Sequence, residues 1–264
     1  MPHNFRKLVR QPLVSVLMEV RFSTVLSLEK YIPDIQDAVR KEYPFFGKEK
    51  EHGVAIEKNG LRVNQTDKFV FWSKEKNSAF HITPERLVFI TTSYDRFEGF
   101  SKRCSFLISV LADIVSPALY SRLGLRYSDC IVTQNNDESE LFELCQSKDM
   151  FFPEPLNELG KKVVRKTESA LETEIGLLVL RTQLGVMTQK VLDDLLPQNY
   201  VEIKDDELPS LRLLLDFDHF WEKPENQKDF NVNAVLEQLE KLHQSSRSAF
   251  WDITSTYAKE NVWA

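Results

Sequence analysis

The amino-acid sequence predicts an α+β fold in which a curved antiparallel sheet carries helices on one of its faces. Two observations predict it. Short extended runs separated by turn residues follow one another in each half of the chain, which is typical of antiparallel meanders. The same order of elements, a strand, a helix, four strands and a helix, occurs twice in the 264 residues. We therefore expect two α+β repeats, residues 1–118 and 119–264, that pack as one continuous domain.

The first repeat opens with a strand and a helix. Over residues 12–22 apolar side chains alternate with polar ones, and this period of two indicates a strand with one buried face. Residues 27–44 show apolar side chains at helical spacing between a serine cap and a closing proline. Four extended runs, GVAIEKN, DKFVFWSK, SAFHITP and RLVFITTSY, then predict a meander. A helix over residues 96–115 ends before Pro117.

The second repeat follows the same order. SRLGLRYSDCIVT predicts its opening strand and ESELFELCQ a short helix. Residues 147–173 are predicted to form a polar connection. Strands are then predicted in EIGLLVLRTQLG, weakly near Gln189, in QNYVEIK and in LPSLRLLLDFDHF. A long amphipathic helix follows over residues 232–254.

Duplication would explain this order. The runs TTSYDRFEGF and LLDFDHFWEK, which close the two series of strands, match when Asp95 is placed opposite Asp218. A duplicated unit of this kind has the topology of the TATA-binding protein, a curved antiparallel sheet with helices on its outer face. That analogy concerns topology and transfers no function. A general α+β domain without internal symmetry is the alternative.

Five segments occur along the chain in this order: PLVSVLMEVRF, ITPERLVFITTSYDRFEGF, RLGLRYSDCI, LLLDFDHFW and LEQLEKLHQSSRSAFWDIT. Together they resemble a sporadically distributed bacterial family with an EIRF-like opening strand, a GLRY-like central strand and an LDxD-like strand before the C-terminal helix. Residues 147–172 and the loop KDDELP lie outside the resemblance. The resemblance implies a bacterial, cytoplasmic protein of an accessory locus of the mobile or defence type, and it brings no catalytic residues.

Composition argues against several classes of protein. No apolar run approaches the roughly 20 residues of a membrane-spanning helix, and the N-terminus lacks the apolar core of a signal peptide, so we expect a cytoplasmic protein without membrane contact. The eight glycines do not cluster into a phosphate-binding loop. Cys104, Cys130 and Cys145 have neither disulfide nor metal-ligand spacing. We therefore predict no cofactor and no bound metal.

Arginines interrupt strands of the predicted sheet. Arg21, Arg126 and Arg181 lie within apolar runs, and the period of two places Asp216 and Asp218 at polar positions of a neighbouring strand. A buried guanidinium needs a carboxylate or carbonyl partner, because an unpaired buried charge costs roughly several kcal/mol. In the structural interpretation, Arg126 and Arg181 pair with the aspartates and fix the sheet. In the functional interpretation, all five residues form a floor that binds an anion or a partner.

Catalytic and metal sites have less support. His243 on the last helix is expected to pack or cap rather than to act as a base. Asp216 and Asp218 share one face of their strand while His219 points to the other, so this strand cannot aim all three at one metal ion. No motif for a serine or cysteine nucleophile is present.

We therefore expect a non-enzymatic binding protein whose open sheet face engages a protein partner. A nucleic-acid or nucleotide binder that uses the same arginines is the first alternative, because arginines and aromatic rings can stack on single-stranded bases. The net charge of −6 weakens that alternative. An enzyme whose site assembles only in three dimensions is the second alternative. The oligomeric state is left open.

Overall fold

The computed structural model describes residues 5–57, 60–151, 160, 162–198 and 200–264. The chain is α+β, with one open, curved sheet of ten strands in which all paired neighbours are antiparallel, as the sequence predicts. Among the helices of these ranges, none has the length and apolar character that a membrane crossing requires.

Strands and helices alternate along the chain in two series. The first half contains β1 (Leu13–Phe22), α1 (Ile32–Val39), β2 (Phe45–Glu57), β3 (Gly60–Trp72), β4 (Ser78–Thr83), β5 (Arg86–Thr91) and α2 (Phe97–Val110). The second half contains β6 (Leu119–Val132), α3 (Glu138–Leu144), β7 (Val164–Glu172), β8 (Leu177–Met187), β9 (Ser210–Glu222), the short β10 (Lys228–Asp229) and α4 (Val232–Ile253). Short 3₁₀ or π turns precede α1, extend α2 and lie near the end of the chain.

The strands lie across the sheet in the order β2-β3-β4-β5-β1-β6-β9-β8-β7, and β10 pairs with the start of β6. The first half therefore forms one side of the sheet and the second half forms the other, with β1 and β6 paired at the centre. The predicted meander of the first half is confirmed, because β2, β3, β4 and β5 are successive neighbours.

The second half departs from the predicted strands at three places, the first of which is the weakly predicted strand near Gln189, where the chain forms none. QNYVEIK, predicted as a strand, forms none in its described residues, and β7 lies inside the predicted polar connection. β7 carries the sequence VRKTESALE, which lacks an apolar face because this edge strand is exposed along most of its length. QNYVEIK resembles a strand because Tyr200, Val201 and Ile203 are apolar. In the structure these side chains pack onto the face of the sheet, and their backbone pairs with no strand.

The predicted match of Asp95 with Asp218 is wrong. Asp95 lies in the loop between β5 and α2, whereas Asp218 lies inside β9. In the strand register Arg86 lies opposite Arg21 and Asp218 lies opposite Arg126. If Arg21 and Arg126 are equivalent positions of the two repeats, then Asp218 is equivalent to Arg86 and not to Asp95.

All four helices lie on one face of the sheet. Buried side chains of α1, α2 and α4 form one hydrophobic cluster with inward-facing residues of β1, β3, β4, β5 and β6. α3 and the C-terminal turn form a second cluster with β8 and β9. Burying these amphipathic helix faces against the apolar side of the strands is the main source of stability in such a layered fold.

Residues 188–198 and 200–206, which we call the covering segment, lie across part of the opposite face. From this segment Val191, Leu195 and Val201 pack on the apolar side chains Leu17, Ala79, Val88 and Ile90 of the sheet. The fully buried Arg212 anchors the segment through a bond to the backbone oxygen of Thr188 (2.8 Å) and an ion pair with Asp206 (3.0 Å). The expectation of a wholly open face is therefore only partly right, since the face is open beside this segment.

We predict that Val201→Ala destabilises the fold by about 1–3 kcal/mol, because it removes buried methyl groups and leaves a cavity under the covering segment. Urea denaturation followed by circular dichroism measures this change. Glu202→Ala is the matched control, since Glu202 is the exposed neighbour, and its effect should stay within about 0.5 kcal/mol. Equal midpoints for the two variants would show that the segment adds no stability.

Candidate functional site

The uncovered part of the sheet face opposite the helices carries a row of charged side chains, which we call the charged face. Its side chains come from neighbouring strands whose alternate residues point to this side. Its arginines are Arg21, Arg122, Arg126 and Arg181, and its carboxylates are Glu19, Glu168, Asp194, Asp216, Asp218 and Glu222. Carboxylates outnumber arginines, so the charged face is mixed in sign.

Arg126 is the centre of the inner part of the charged face. Its Nε donates to both carboxylate oxygens of Asp216 at 2.9 Å, and its Nη2 donates to those of Asp194 at 2.9 and 3.0 Å. Ser128 donates a further hydrogen bond to Asp216 at 2.8 Å. Only 8% of the Arg126 side chain and 1% of the Asp216 side chain are exposed. Arg126 therefore ties β9 to the covering segment, as the structural interpretation of this arginine requires.

Arg181 joins the same cluster at longer range. Its Nε donates to Glu168 on β7 at 2.8 Å, while its Nη1 lies 3.7 Å from Asp216 and 3.8 Å from Asp218. These last two distances are ion-pair contacts rather than hydrogen bonds. The Nη1 atom is buried and has no hydrogen-bond acceptor within the described part of the chain.

A cleft of about 450 Å³ opens beside Arg181, between β7, β8 and the covering segment. Its polar lining includes Lys166, Gln183 and Asp193. Charges of both signs therefore face this cleft as well.

Arg21 lies in the outer part of the charged face. Glu19 accepts a hydrogen bond from Arg122 Nε at 2.9 Å and forms an ion pair with Arg21 Nε, also at 2.9 Å. Glu222 accepts from Arg122 Nη1 at 2.7 Å and from Arg21 Nη1 at 3.2 Å. The guanidinium of Arg122 also lies 3.8 Å from the centre of the Phe220 ring, a cation–π contact. Arg21 is the most accessible of these arginines, with 41% of its side chain exposed.

Burial dominates the electrostatics of the two aspartates on β9. It raises the pKa of Asp216 and of Asp218 above the ordinary value, and the charge of Arg126 opposes this rise in both. The carboxylate charges of these two residues therefore depend on the arginines beside them.

The structure brings four of the five sequence-predicted residues together, since Arg126, Arg181, Asp216 and Asp218 form one cluster. Arg21 lies in the outer part of the face, where its partners are Glu19 and Glu222.

Sequence reasoning missed four members of the charged face, Arg122, Glu168, Asp194 and Glu222. Arg122 and Glu222 lie opposite each other on β6 and β9, with the same period of two as Arg126 and Asp218, so the strand pattern contained a signal for them. Glu168 belongs to β7, which the sequence did not predict. Asp194 lies in a short 3₁₀ helix of the covering segment, where the sequence predicted no element.

The two histidines near this region face the helix side. His219 bonds through Nδ1 with the Leu242 oxygen at 3.2 Å and through Nε2 with the Thr173 hydroxyl at 3.0 Å. His243 stacks on Phe97 with ring centres 3.9 Å apart. Among the described residues, no group of three or more histidine, cysteine, aspartate or glutamate side chains is placed to hold a metal ion.

Comparisons with known proteins give no relative: no family model matches the chain, no curated protein matches it, and no solved structure matches it. Function is therefore argued from the side chains and surfaces of this chain alone.

We predict that Arg126→Met destabilises the fold by about 3–5 kcal/mol near pH 7, because it removes the main counter-ion of the buried Asp216. Without Arg126 the folded-state pKa of Asp216 lies further above its unfolded value of about 3.9. The deficit should therefore shrink as the pH falls through the folded pKa towards 4, since the protonated carboxyl needs no counter-ion.

Chemical denaturation at several pH values tests this prediction. Arg40→Met removes an exposed ion pair with Asp37 and serves as the control, with an expected change of at most about 1 kcal/mol. The double variant Arg126→Met with Asp216→Leu should recover most of the lost stability, because it leaves no unpaired carboxylate. An Arg126→Met protein as stable as wild type at pH 7 would contradict the structural role of Arg126.

Proposed function

We propose that this chain is a non-enzymatic binding protein that engages a protein partner through the charged face. One observation carries this proposal: the arginines of the charged face lie against carboxylates of the same chain, so both signs of charge are presented side by side. Mixed charge of this kind supports protein recognition, where patches of opposite sign fix the register between partners.

The outer part of the charged face is the part that a partner can reach. The side chains of Arg21 and Glu222 are 41% and 32% exposed, and the ring of Phe220 lies half-buried beneath Arg122. Interfaces favour arginine and aromatic side chains that are already held in place, because less conformational entropy is lost on binding. Arg21 is therefore the residue that we expect to contribute most to binding.

Nucleic acid is the alternative occupant of the same face. Phosphate groups would meet the arginines, but they would also meet Glu19, Glu222 and Asp218, which repel them. The guanidinium of Arg122 already stacks on Phe220, so this aromatic surface is occupied within the chain. These contacts place nucleic-acid binding second. No catalytic role is assigned to residues of the charged face.

We further propose that the chain arose by duplication of an α+β unit, residues 1–118 and 119–264, with a topology like that of the TATA-binding protein. The strand order of the sheet supports this proposal. Outward from β1 the neighbours are β5, β4 and β3, and outward from β6 they are β9, β8 and β7 in the corresponding order, whereas β2 has no counterpart.

A bacterial, cytoplasmic origin in an accessory locus of the mobile or defence type completes the proposal. Its support is the order of the five segments that resemble the bacterial family, which together extend over most of the chain.

The test is affinity purification of the tagged chain from its native host, followed by mass spectrometry and analysis of bound nucleic acid. We expect wild type to recover a defined protein partner and Arg21→Gln to lose it, because the substitution removes the exposed guanidinium. Lys102→Gln, which removes an exposed charge on the helix side, should recover the partner as wild type does.

Two results would overturn the proposed role. If nuclease treatment abolishes the recovery of the partner, the charged face would be assigned to nucleic acid. Recovery of the same partner by Arg21→Gln at unchanged yield would place the interface elsewhere. The free energies of unfolding that the melting curves of both variants give should lie within about 1 kcal/mol of the wild-type value, because surface ion pairs contribute little to stability.

A further inference from the structure

A cavity of about 330 Å³ lies on the helix side of the sheet, away from the charged face. It is bounded by the N-terminal segment, the start of α2, α4 and the strands β6 and β9. Its wall combines the aromatic side chains Tyr94, Phe97, Tyr127, Phe217, Phe250 and Trp251 with charged side chains of both signs, of which Arg6, Lys7 and Arg96 are exposed. A cavity of this size and lining is typical of sites that bind small molecules.

Asp129 supplies a carboxyl group to this aromatic cavity. The residue follows Tyr127 at the period of two on β6, so both side chains point to the helix side, and Asp129 is only 4% exposed. Within the part of the chain that the structure describes, no hydrogen bond or ion pair reaches its carboxyl oxygens. Burial, assisted by the charge of Asp216 on the other face, raises the pKa of Asp129 to about 8.

Several charged and polar side chains that line the cavity contact groups other than Asp129. The guanidinium of Arg247 on α4 lies 3.8 Å from the centre of the Phe5 ring. His243 shares a 2.8 Å hydrogen bond with the Tyr127 hydroxyl, and burial lowers its pKa to about 3, so it is neutral. Lys7 at the rim pairs with Asp95. Among the described residues, no opposite charge acts on the Asp129 carboxyl, whose pKa is raised by burial and by the like charge of Asp216.

We propose that this cavity binds a small organic cation, an alkyl or quaternary ammonium with an apolar body, with its charged group against Asp129. An ammonium group would supply the missing counter-ion in a site of low dielectric constant, where such a pair is strong. The faces of Tyr and Trp rings attract cations as well, so the aromatic wall and the carboxylate favour the same chemistry. The apolar body of the ligand would replace water against the phenyl rings of the wall.

Quaternary ammonium compounds are suitable probes because their charge does not change with pH. Benzyltrimethylammonium and choline would be titrated into the full chain at pH 9, where Asp129 is mostly ionised, by calorimetry and by tryptophan fluorescence, since Trp251 lines the cavity. The neutral isostere of choline, 3,3-dimethylbutan-1-ol, measures the affinity that does not depend on the positive charge. We expect benzyltrimethylammonium to bind with a Kd below about 1 mM, and choline to bind at least about tenfold more tightly than its neutral isostere.

Asp129→Asn is the decisive variant, because it keeps the shape of the side chain and removes its charge. It should fold at least as stably as wild type at pH 9, where the ionised carboxyl opposes folding, and it should bind both ammonium probes at least about tenfold more weakly. Asp113→Asn removes an exposed carboxylate at the end of α2 and should bind them as wild type does. Equal affinities for choline and its isostere, unchanged binding by Asp129→Asn, or no binding of either ammonium probe would each overturn the proposal.

Discussion

The antiparallel pairing of β1 with β6 is the interaction on which the rest of the structure depends. It is the pairing that joins the two halves of the chain into one sheet, and it runs through nine residues of β1. Because the period of two is shared across paired strands, this pairing places Glu19 within reach of Arg122 and aligns the polar sides of both halves. It also brings the apolar sides of β1 and β6 under α2 and α4, so one helix-covered core serves both halves.

The charged face follows from that alignment. Arg21 and Arg122, on β1 and β6, share the carboxylates of Glu19 and Glu222. Arg126 on β6 pairs separately with Asp216 and Asp194, so each of these arginines has an opposite charge beside it. The inner part around Arg126 and Asp216 is largely desolvated, so its ion pairs hold β9 and the covering segment in one arrangement. The outer part around Arg21 is more accessible and contributes less to folding. Under the proposed binding function, the inner part of this row would contribute mainly to stability and the outer part to recognition.

The sequence predicted those parts of the structure that are fixed by local periodicity. β1, the first meander and α4 were recognisable because their apolar residues repeat at the period of a half-buried strand or of an amphipathic helix. The proximity of Arg126 to Asp216 was also predictable, since a guanidinium inside an apolar strand requires a carboxylate. β7 was missed because an exposed edge strand has no apolar face, and Asp194 was missed because the short 3₁₀ helix that carries it, DDLLPQ, has no apolar period. Only tertiary contacts determine that β7 forms a strand and that the Asp194 side chain reaches Arg126.

Asp129 differs from the other buried charges of the sheet, because no described residue supplies an opposite charge to it. Arg126 and Glu19 have partners of opposite sign, and Arg212 has carbonyl oxygens and an aspartate. An unpaired buried carboxyl weakens the fold wherever it is ionised, and for this reason we assign Asp129 a role in binding rather than in stability. The charge of Asp216 contributes to the raised pKa of Asp129 across the sheet, so the two faces are electrostatically linked. A cation held against the ionised Asp129 would offset the charge of that carboxylate, so Asp129 could ionise without weakening the ionised form of Asp216.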